Sequence, residues 1–534
     1  MGCSWRQITL NSLIGSLLMA TDNDQLEEYS TRVFAILWLL QFMVWGIWST
    51  FVWPHFASPL RHLPQPKDGH WLLGHGRKLT SNLPAAPLRE WINGLEHNGL
   101  IRYLTFFNRE RVLVCSPAAL REVLVSKNYT FPKPKALRTI LGRILGHGVL
   151  LAEGDEHKLQ RKNLLPAFRL RHIRSFYPLF WEKAREVVQA MTVACSNTST
   201  VLEVDSWASR CTLDIIGSAG MGVSFGAIQD ENGTLVSTYR YISRPSTQSK
   251  AILVLGMLLP GWMLNYLPLQ RNKDMNSASL TIRNACRDMI KEQRRKLSDK
   301  VHMTQDVVSV ALQSGHFTDE QLVDQVMTFL AAGHNTMASA LTWSVYQLSR
   351  YPEMQKKLRA EIREKLQPID AGFGFSSVDI DHMPYLNAVC NEALRTYTPI
   401  PQTVREAACD TEIQGQFIPK GTRITLAPWG TNMDVSLWGD DAHEFKPERW
   451  LLSPRGGAES NYAFMTFLHG PRSCIASTFA RAELACLLAA WAGRFEFELQ
   501  DKALMDERNL KFQAGVTAKP AHGLYLRVRV VEGW

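Results

Sequence analysis

Apolar and polar positions divide the chain into three unequal stretches: a run without charge, a proline-punctuated segment, and a long body patterned mostly at helical spacing. The run is Val33–Trp53, VFAILWLLQFMVWGIWSTFVW, in which only Gln41, Ser49 and Thr50 are polar. At ~1.5 Å per residue it reaches across the ~30 Å hydrocarbon core of a bilayer. Trp45, Trp48 and Trp53 gather toward its C-terminal end, as an interfacial belt requires. Pro54–Gly76 follows, and its prolines at 54, 59, 64 and 66 fix φ and resist helix, which predicts a semi-rigid connector. In the body, short β-like runs occur at Leu100–Thr105 and Arg111–Cys115. Helical spacing or caps mark Pro117–Lys127, Arg174–Met191, Ser277–Leu297, Asp319–Arg350, Pro352–Lys365 and Tyr385–Thr396. Thr318 followed by Gln321 is a capping-box pattern ahead of the longest of these. Lys511–Val531 reads as β-rich, with turns at Gly515 and Pro520–Gly523. Ile252–Leu267 is apolar but short and holds Pro260, so it predicts a core helix or a membrane-dipping loop rather than a second span.

The fold class these patterns predict is mainly α with small β-sheets, preceded by one N-terminal transmembrane helix. The expected division is 1–32 an N-terminal non-cytosolic segment, 33–53 the span, 54–76 the Pro-rich linker and 77–534 the main domain. Asp22, Asp24, Glu27 and Glu28 precede the span, and Arg61, Lys67, Arg77 and Lys78 follow it. That bias turns the body toward the cytosol, although Arg32 sits at the other edge. The run starts too far from Met1, and is too long, for a cleaved signal peptide. Met1-Gly2-Cys3-Ser4-Trp5-Arg6 has Arg where an acylation site wants Ser or Thr. Three sequons, at Asn128, Asn197 and Asn232, stay unmodified if the body is cytosolic.

Composition changes this picture little. With 46% hydrophobic residues the 534-residue chain can build a large core. A net charge of +9 suits an acidic partner or an anionic membrane surface. Zinc-finger spacing and long basic blocks are missing, which excludes the common nucleic-acid modules. Nine cysteines without a C-x-x-C pair argue against a disulfide framework and a structural zinc site.

One of those cysteines carries chemistry. In FLHGPRSCIA, Phe467–Ala476, Cys474 lies between a Gly-Pro-Arg turn and the helical run Phe479–Trp491. Free N–H groups at a helix N-terminus favour a thiolate. Gly470 permits a tight turn, Phe467 can shield sulfur, and Arg472 adds a fixed charge. The alternative is a buried core thiol. Upstream, Glu392-Ala-Leu-Arg395 places Glu and Arg on one helix face, and Pro447-Glu448-Arg449-Trp450 follows. Ala332-Gly333-His334-Asn335-Thr336 puts a glycine mid-helix beside a threonine. Glycine there costs roughly 1 kcal/mol against alanine, so either close packing or a functional groove must explain it. His157 and Arg161, spaced i, i+4, share one helix face ahead of Pro166-Ala167-Phe168.

Taken in order, these segments resemble the cytochrome P-450 haem-thiolate monooxygenases, microsomal type, from about Pro64 to the end. The resemblance implies the P-450 fold. It implies haem b with Cys474 as axial thiolate and Phe467, Gly470 and Arg472 in the haem-binding loop. It implies propionate contacts from His157, Arg161, Arg405 and Arg472, and a buried network of Glu392, Arg395 and Arg449. Gly333, Asn335 and Thr336 would serve oxygen activation, with Thr336 bonding the bound oxygen. Two positions depart from the family pattern: Asn335 replaces the usual acid and cannot titrate, and Ala476 replaces the usual glycine. The implied reaction inserts one atom of O₂ into a lipophilic small molecule by hydroxylation or epoxidation, similar to fungal members acting in secondary metabolism. A G-x-G-x-x-G dinucleotide fingerprint is missing, so electrons from NADPH would arrive through a separate P-450 reductase, with cytochrome b5 as a further donor. The localisation implied is the endoplasmic reticulum membrane, single-pass. A reductase-independent isomerase or dehydratase and a non-catalytic haem-binding protein are the competing readings. By family analogy the substrate pocket would be lined by 131–148, 327–332, 398–403 and 515–517, with Leu330, Ile400 and Val516 giving it an apolar wall.

Overall fold

The computed structural model describes residues 5–18, 26–80, 85–195, 199–243, 269–298, 306–371, 375–513 and 515–534. The apolar stretch Ile252–Leu267 and the sequon Asn197 lie outside them. Helices make up most of the body, and among the described residues nine short strands form three sheets. The strands are β1 (Leu100–Leu104), β2 (Glu110–Val114), β3 (Thr200–Glu203), β4 (Thr403–Glu406), β5 (Thr411–Ile413), β6 (Gln416–Ile418), β7 (Arg423–Leu426), β8 (Phe495–Leu499) and β9 (Tyr525–Val530). The largest sheet runs β1-β2-β7-β4, with β2 and β7 parallel and the other pairs antiparallel. A second sheet is β3-β9-β8 and a third is the hairpin β5-β6. The β-rich tail expected over 511–531 holds one regular strand, β9, plus a single bridge between Phe512 and Pro520. Pro520 and the positive φ of Gly523 leave little room for more ladder.

The long helix Asp319–Arg350 threads the core, and its N-terminus carries the expected capping box between Thr318 and Gln321. It packs against the helices Val204–Ile215, Gln270–Ser298 and Ser477–Arg494. The helix expected from Arg174 starts instead at Tyr177, because Pro178 occupies its first turn, where a missing N–H is harmless. The helix at Pro117 widens to π-type bonding over Glu122–Ser126. Among the described residues, Trp343 and Trp491 are the largest of the fully buried side chains.

At the N-terminus, Leu26–Ile47 is one α-helix that continues through Trp48–Ala57 with wider π-helical turns. Pro54 lies in the wide part, where its missing N–H removes a donor from the ladder. Arg32–Ala57 is long and apolar enough to cross a membrane, and none of its most apolar window is buried in the protein. Sequence patterning missed a second helix, Trp5–Leu18, packed beside it. Thr9 accepts from the Trp38 indole at 3.3 Å and Ser12 accepts from Gln41 at 3.2 Å, so these two polar side chains of the apolar helix have partners. The proline-rich segment is docked on the main sheet. Leu60 is buried, the Arg102 guanidinium reaches the Pro54 carbonyl, and the Arg102 N–H donates to the Pro64 carbonyl at 2.8 Å.

Candidate functional site

The cysteine loop is shaped by one glycine. Gly470 has φ +79°, and a Cβ there would stand 2.2 Å from the Leu124 carbonyl oxygen, so no side chain fits. The loop then closes on itself. The Cys474 N–H donates to the Phe467 carbonyl at 2.8 Å, and the Ser473 N–H donates to the Gly470 carbonyl at 3.0 Å. Ala476, in the position where the family pattern has glycine, sits at φ −97° and ψ 19°, a conformation open to alanine. It leads directly into the helix Ser477–Arg494. Phe467 is half-buried beneath the Arg481 guanidinium, which lies 5.0 Å from its ring centroid.

Cys474 is enclosed by protein, yet its side chain keeps exposed surface. Burial pushes the thiol pKa up; the Ala476 N–H and the Arg161 guanidinium pull it down. Arg161 is therefore part of the sulfur's surroundings. It donates to the Ser473 carbonyl at 2.7 Å and to the Ser473 hydroxyl at 3.3 Å. One turn earlier on the same helix, Gly154–Leu164, His157 is buried and bonded to the Tyr129 hydroxyl at 2.9 Å. Burial, then Arg472, Lys133 and Arg161, lower the His157 pKa to about 4, so its ring is neutral at pH 7.

Arg405 comes from β4 and Arg472 from the cysteine loop, and both are buried. Arg405 donates only locally, to the Thr403 hydroxyl at 3.1 Å and the Val404 carbonyl at 3.0 Å. Burial and then Arg472 lower its pKa to about 10. Arg472 pairs with Glu153 and donates to the carbonyls of Asn128 at 3.2 Å and Phe131 at 3.1 Å, and its Nε has no partner. Lys133, Arg161 and Arg472 thus act on His157, and Lys133, Arg405 and Arg472 gather about one acid, Glu153. Cations packed this closely away from water repel one another and call for anions. A flat cofactor with a thiolate-seeking centre and a carboxylate edge satisfies both the sulfur and the surplus charge, so the donor set fits haem b. When bound, haem supplies the activation of O₂; a cysteine thiolate tunes that chemistry.

The expected oxygen-side residues share one property. From Gln325 to Ser349 the long helix is buried at every position except Ala332, Gly333, Asn335 and Thr336. These four form a half-buried window in an otherwise sealed helix. The Thr336 hydroxyl donates to the Ala332 carbonyl at 2.8 Å, and the Asn335 amide reaches the Ala331 carbonyl at 3.4 Å. Back-bonding of this kind competes with the helix ladder and loosens it locally. Gly333 also has a packing reason, because a Cβ would approach Ile216 to 2.8 Å. His334 faces the other way; it is buried against Tyr239, with ring centroids 4.6 Å apart, and its Nδ1 lies 2.6 Å from the Leu330 carbonyl.

The expected charge network is assembled and completely buried. Glu392 receives Arg395 at 2.7 and 2.8 Å, Arg449 at 3.0 Å, the Trp450 indole at 2.9 Å and the Lys446 N–H at 2.9 Å. Arg395 spends its other donors on the carbonyls of Asn432, Ala442 and Glu444. The network pins the segment 432–450 to the helix Pro384–Thr396. Asn432 then links that segment to the approach of the cysteine loop, accepting the Met465 N–H at 2.6 Å and donating to the Thr466 hydroxyl at 2.8 Å.

Sequence reasoning missed Tyr129, Lys133, Glu153, Ser473 and the Trp450 indole. Trp450 was legible beside Arg449. Glu153 and Lys133 had no signal, since only the folded chain brings 133, 153 and 472 together.

A model of the cytochrome P450 family matches residues 64–525. Cytochrome P450 monooxygenase sphH of Aspergillus fumigatus is 44% identical over 505 residues, spanning 91% of each chain. Cytochrome P450 monooxygenase FUM15 of Gibberella moniliformis is 44% identical over 544 residues, again 91% of each. Cytochrome P450 monooxygenase buaD of Petromyces alliaceus is 39% identical over 514 residues, spanning 94% of this chain and 93% of its own. The family match runs through most of the molecule, and the chain belongs to the cytochrome P450 family of haem-thiolate monooxygenases.

Proposed function

We propose that the protein inserts one oxygen atom of O₂ into a lipophilic small molecule, by hydroxylation or epoxidation, within secondary metabolism. Electrons come from NADPH through a separate reductase on the same membrane. The observation that carries this reading is the presence in one chain of an enclosed Cys474 with Arg161 beside it and of the four-residue window Ala332, Gly333, Asn335 and Thr336 in an otherwise buried stretch of the long helix. In this reading Arg405, Arg472 and Arg161 hold the cofactor's carboxylates, and Phe467 shields the sulfur. His157, neutral and fixed by Tyr129, can donate one hydrogen bond to them. Thr336 presents its hydroxyl to the oxygen side. Asn335 cannot gain or lose a proton, so it orients water while Thr336 hands protons inward. The fungal monooxygenases among the relatives support the assignment to secondary metabolism. The apolar helix Arg32–Ala57 supports anchoring, with the body on the cytosolic side of the endoplasmic reticulum.

The test is isotopic. Membranes carrying the protein and a P450 reductase receive NADPH, ¹⁸O₂ and a panel of apolar polyketide- and terpenoid-like compounds. The expected result is product bearing one ¹⁸O, formed only when NADPH and reductase are both present. Rearranged product without label, formed without reductase, would replace this reading with an isomerase or dehydratase. Glycosylation at Asn128 or Asn232 would overturn the orientation.

A further inference from the structure

The segment Phe131-Pro132-Lys133-Pro134 lies against the cysteine loop, held from three sides. Arg472 donates to the Phe131 carbonyl, the Glu406 N–H donates to the Pro132 carbonyl at 2.9 Å, and the Lys133 N–H donates to Glu153 Oε1 at 2.8 Å. Prolines on both sides of Lys133 fix their own φ and restrict the residue before each. The Lys133 backbone is therefore set, and its side chain leaves in a defined direction.

That side chain resembles Cys474 in one respect: it is enclosed by protein yet retains surface. Its neighbours are Arg405, Arg472 and Arg138, all cations. Glu153 is the one acid among them, and its Oε1 is committed to the Lys133 N–H and the Arg472 guanidinium. Its Oε2 has no hydrogen-bond partner, so the Lys133 ammonium does not bond there either. Burial, followed by Arg405 and Arg472, pushes the ammonium pKa well below the ordinary lysine range. A buried amine surrounded by guanidinium groups is costly unless an anion is to come.

We propose that Lys133 is a further anchoring cation for the carboxylate edge of the haem, its backbone positioned by Glu153. The inference rests on the reading that haem sits on Cys474. A carboxylate beside it would give the ammonium a counterion and the cluster its balance. Lys133 then acts with Arg405 and Arg472 in retaining the cofactor.

The experiment measures haem loss to an excess of a scavenging apoprotein. Wild type, Lys133→Met and Lys133→Arg are each loaded with haem b or with its dimethyl ester, which has no carboxylates. Lys133→Met should lose haem b about tenfold faster than wild type, the scale of one desolvated ion pair. Lys133→Arg should restore most of the retention. With the ester, wild type and Lys133→Met should lose cofactor at equal rates. Equal rates with haem b, or equal acceleration with both cofactors, would overturn the proposal, the second outcome marking Lys133 as a packing residue. Should Lys133→Met not accumulate folded, Lys133→Gln is read the same way. Failure of the wild type to take up any haem would sink the underlying reading instead, and is seen before any variant is compared.

Discussion

Glu392 shows how much a single buried charge can decide. Five donors meet its two oxygens, and neither it nor Arg395 has measurable exposure. A buried carboxylate so fully bonded is not a source of net stability by itself, but removing it leaves the buried Arg395 guanidinium without a counterion and Arg449 with Asp441 alone. Glu392→Gln should therefore cost about 3–5 kcal/mol, read as a lower guanidinium midpoint of unfolding, whereas exposed Glu364→Gln should cost under about 0.5 kcal/mol. His334 makes a prediction with a sign. Burial lowers its pKa from 6.5 to about 4, opposed by the Leu330 carbonyl and joined weakly by Lys519. The unfolded chain takes up a proton near pH 6.5 and the folded chain only near pH 4. Its contribution is complete above about pH 6.5 and is lost as pH falls toward 4. Between pH 7 and pH 5 the wild type should lose about 2 kcal/mol more stability than His334→Asn, measured by denaturant unfolding at both pH values. Equal losses would mean that His334 does not titrate abnormally.

Among the elements, the long helix carries both packing and chemistry, and Gly333 lies where they meet. Alanine there gains roughly 1 kcal/mol in helix propensity but must push Ile216 aside, which costs about 1–3 kcal/mol in a packed core. The second effect wins only while Ile216 is present. Gly333→Ala should destabilise the wild type yet stabilise the Ile216→Ala background, giving a coupling energy of 1–2 kcal/mol in a double-mutant cycle. Additive effects would show that Ile216 is not what demands the glycine. This helix was legible in sequence because its cap and its periodicity agree, and β1 and β2 because their β-like runs are bounded by turns. The helix Trp5–Leu18 was not legible, since Arg6, Gln7, Asn11 and Ser12 interrupt any apolar face. The widening at Trp48–Ala57 was equally hidden, because proline signals a break without saying how the ladder absorbs it.

For the whole molecule, the site is made from parts far apart in sequence: residues 129–161, the long helix, β4 and the loop before the last helix. Cys474, Arg472, Arg161, Arg405 and the Glu392 network could be named from sequence because the segments that hold them resemble a known family. Lys133 and Glu153 could not, because their meaning is electrostatic and depends on segments brought together by folding. The central claim is that this assembly exists to hold iron through Cys474. It is tested most directly by the absorption spectrum of the dithionite-reduced, CO-bound protein, for wild type and Cys474→Ser. The account predicts a strongly red-shifted Soret band in the wild type and its loss in the variant. An unshifted wild-type band, a shift that survives Cys474→Ser, or well-folded protein without haem would contradict it.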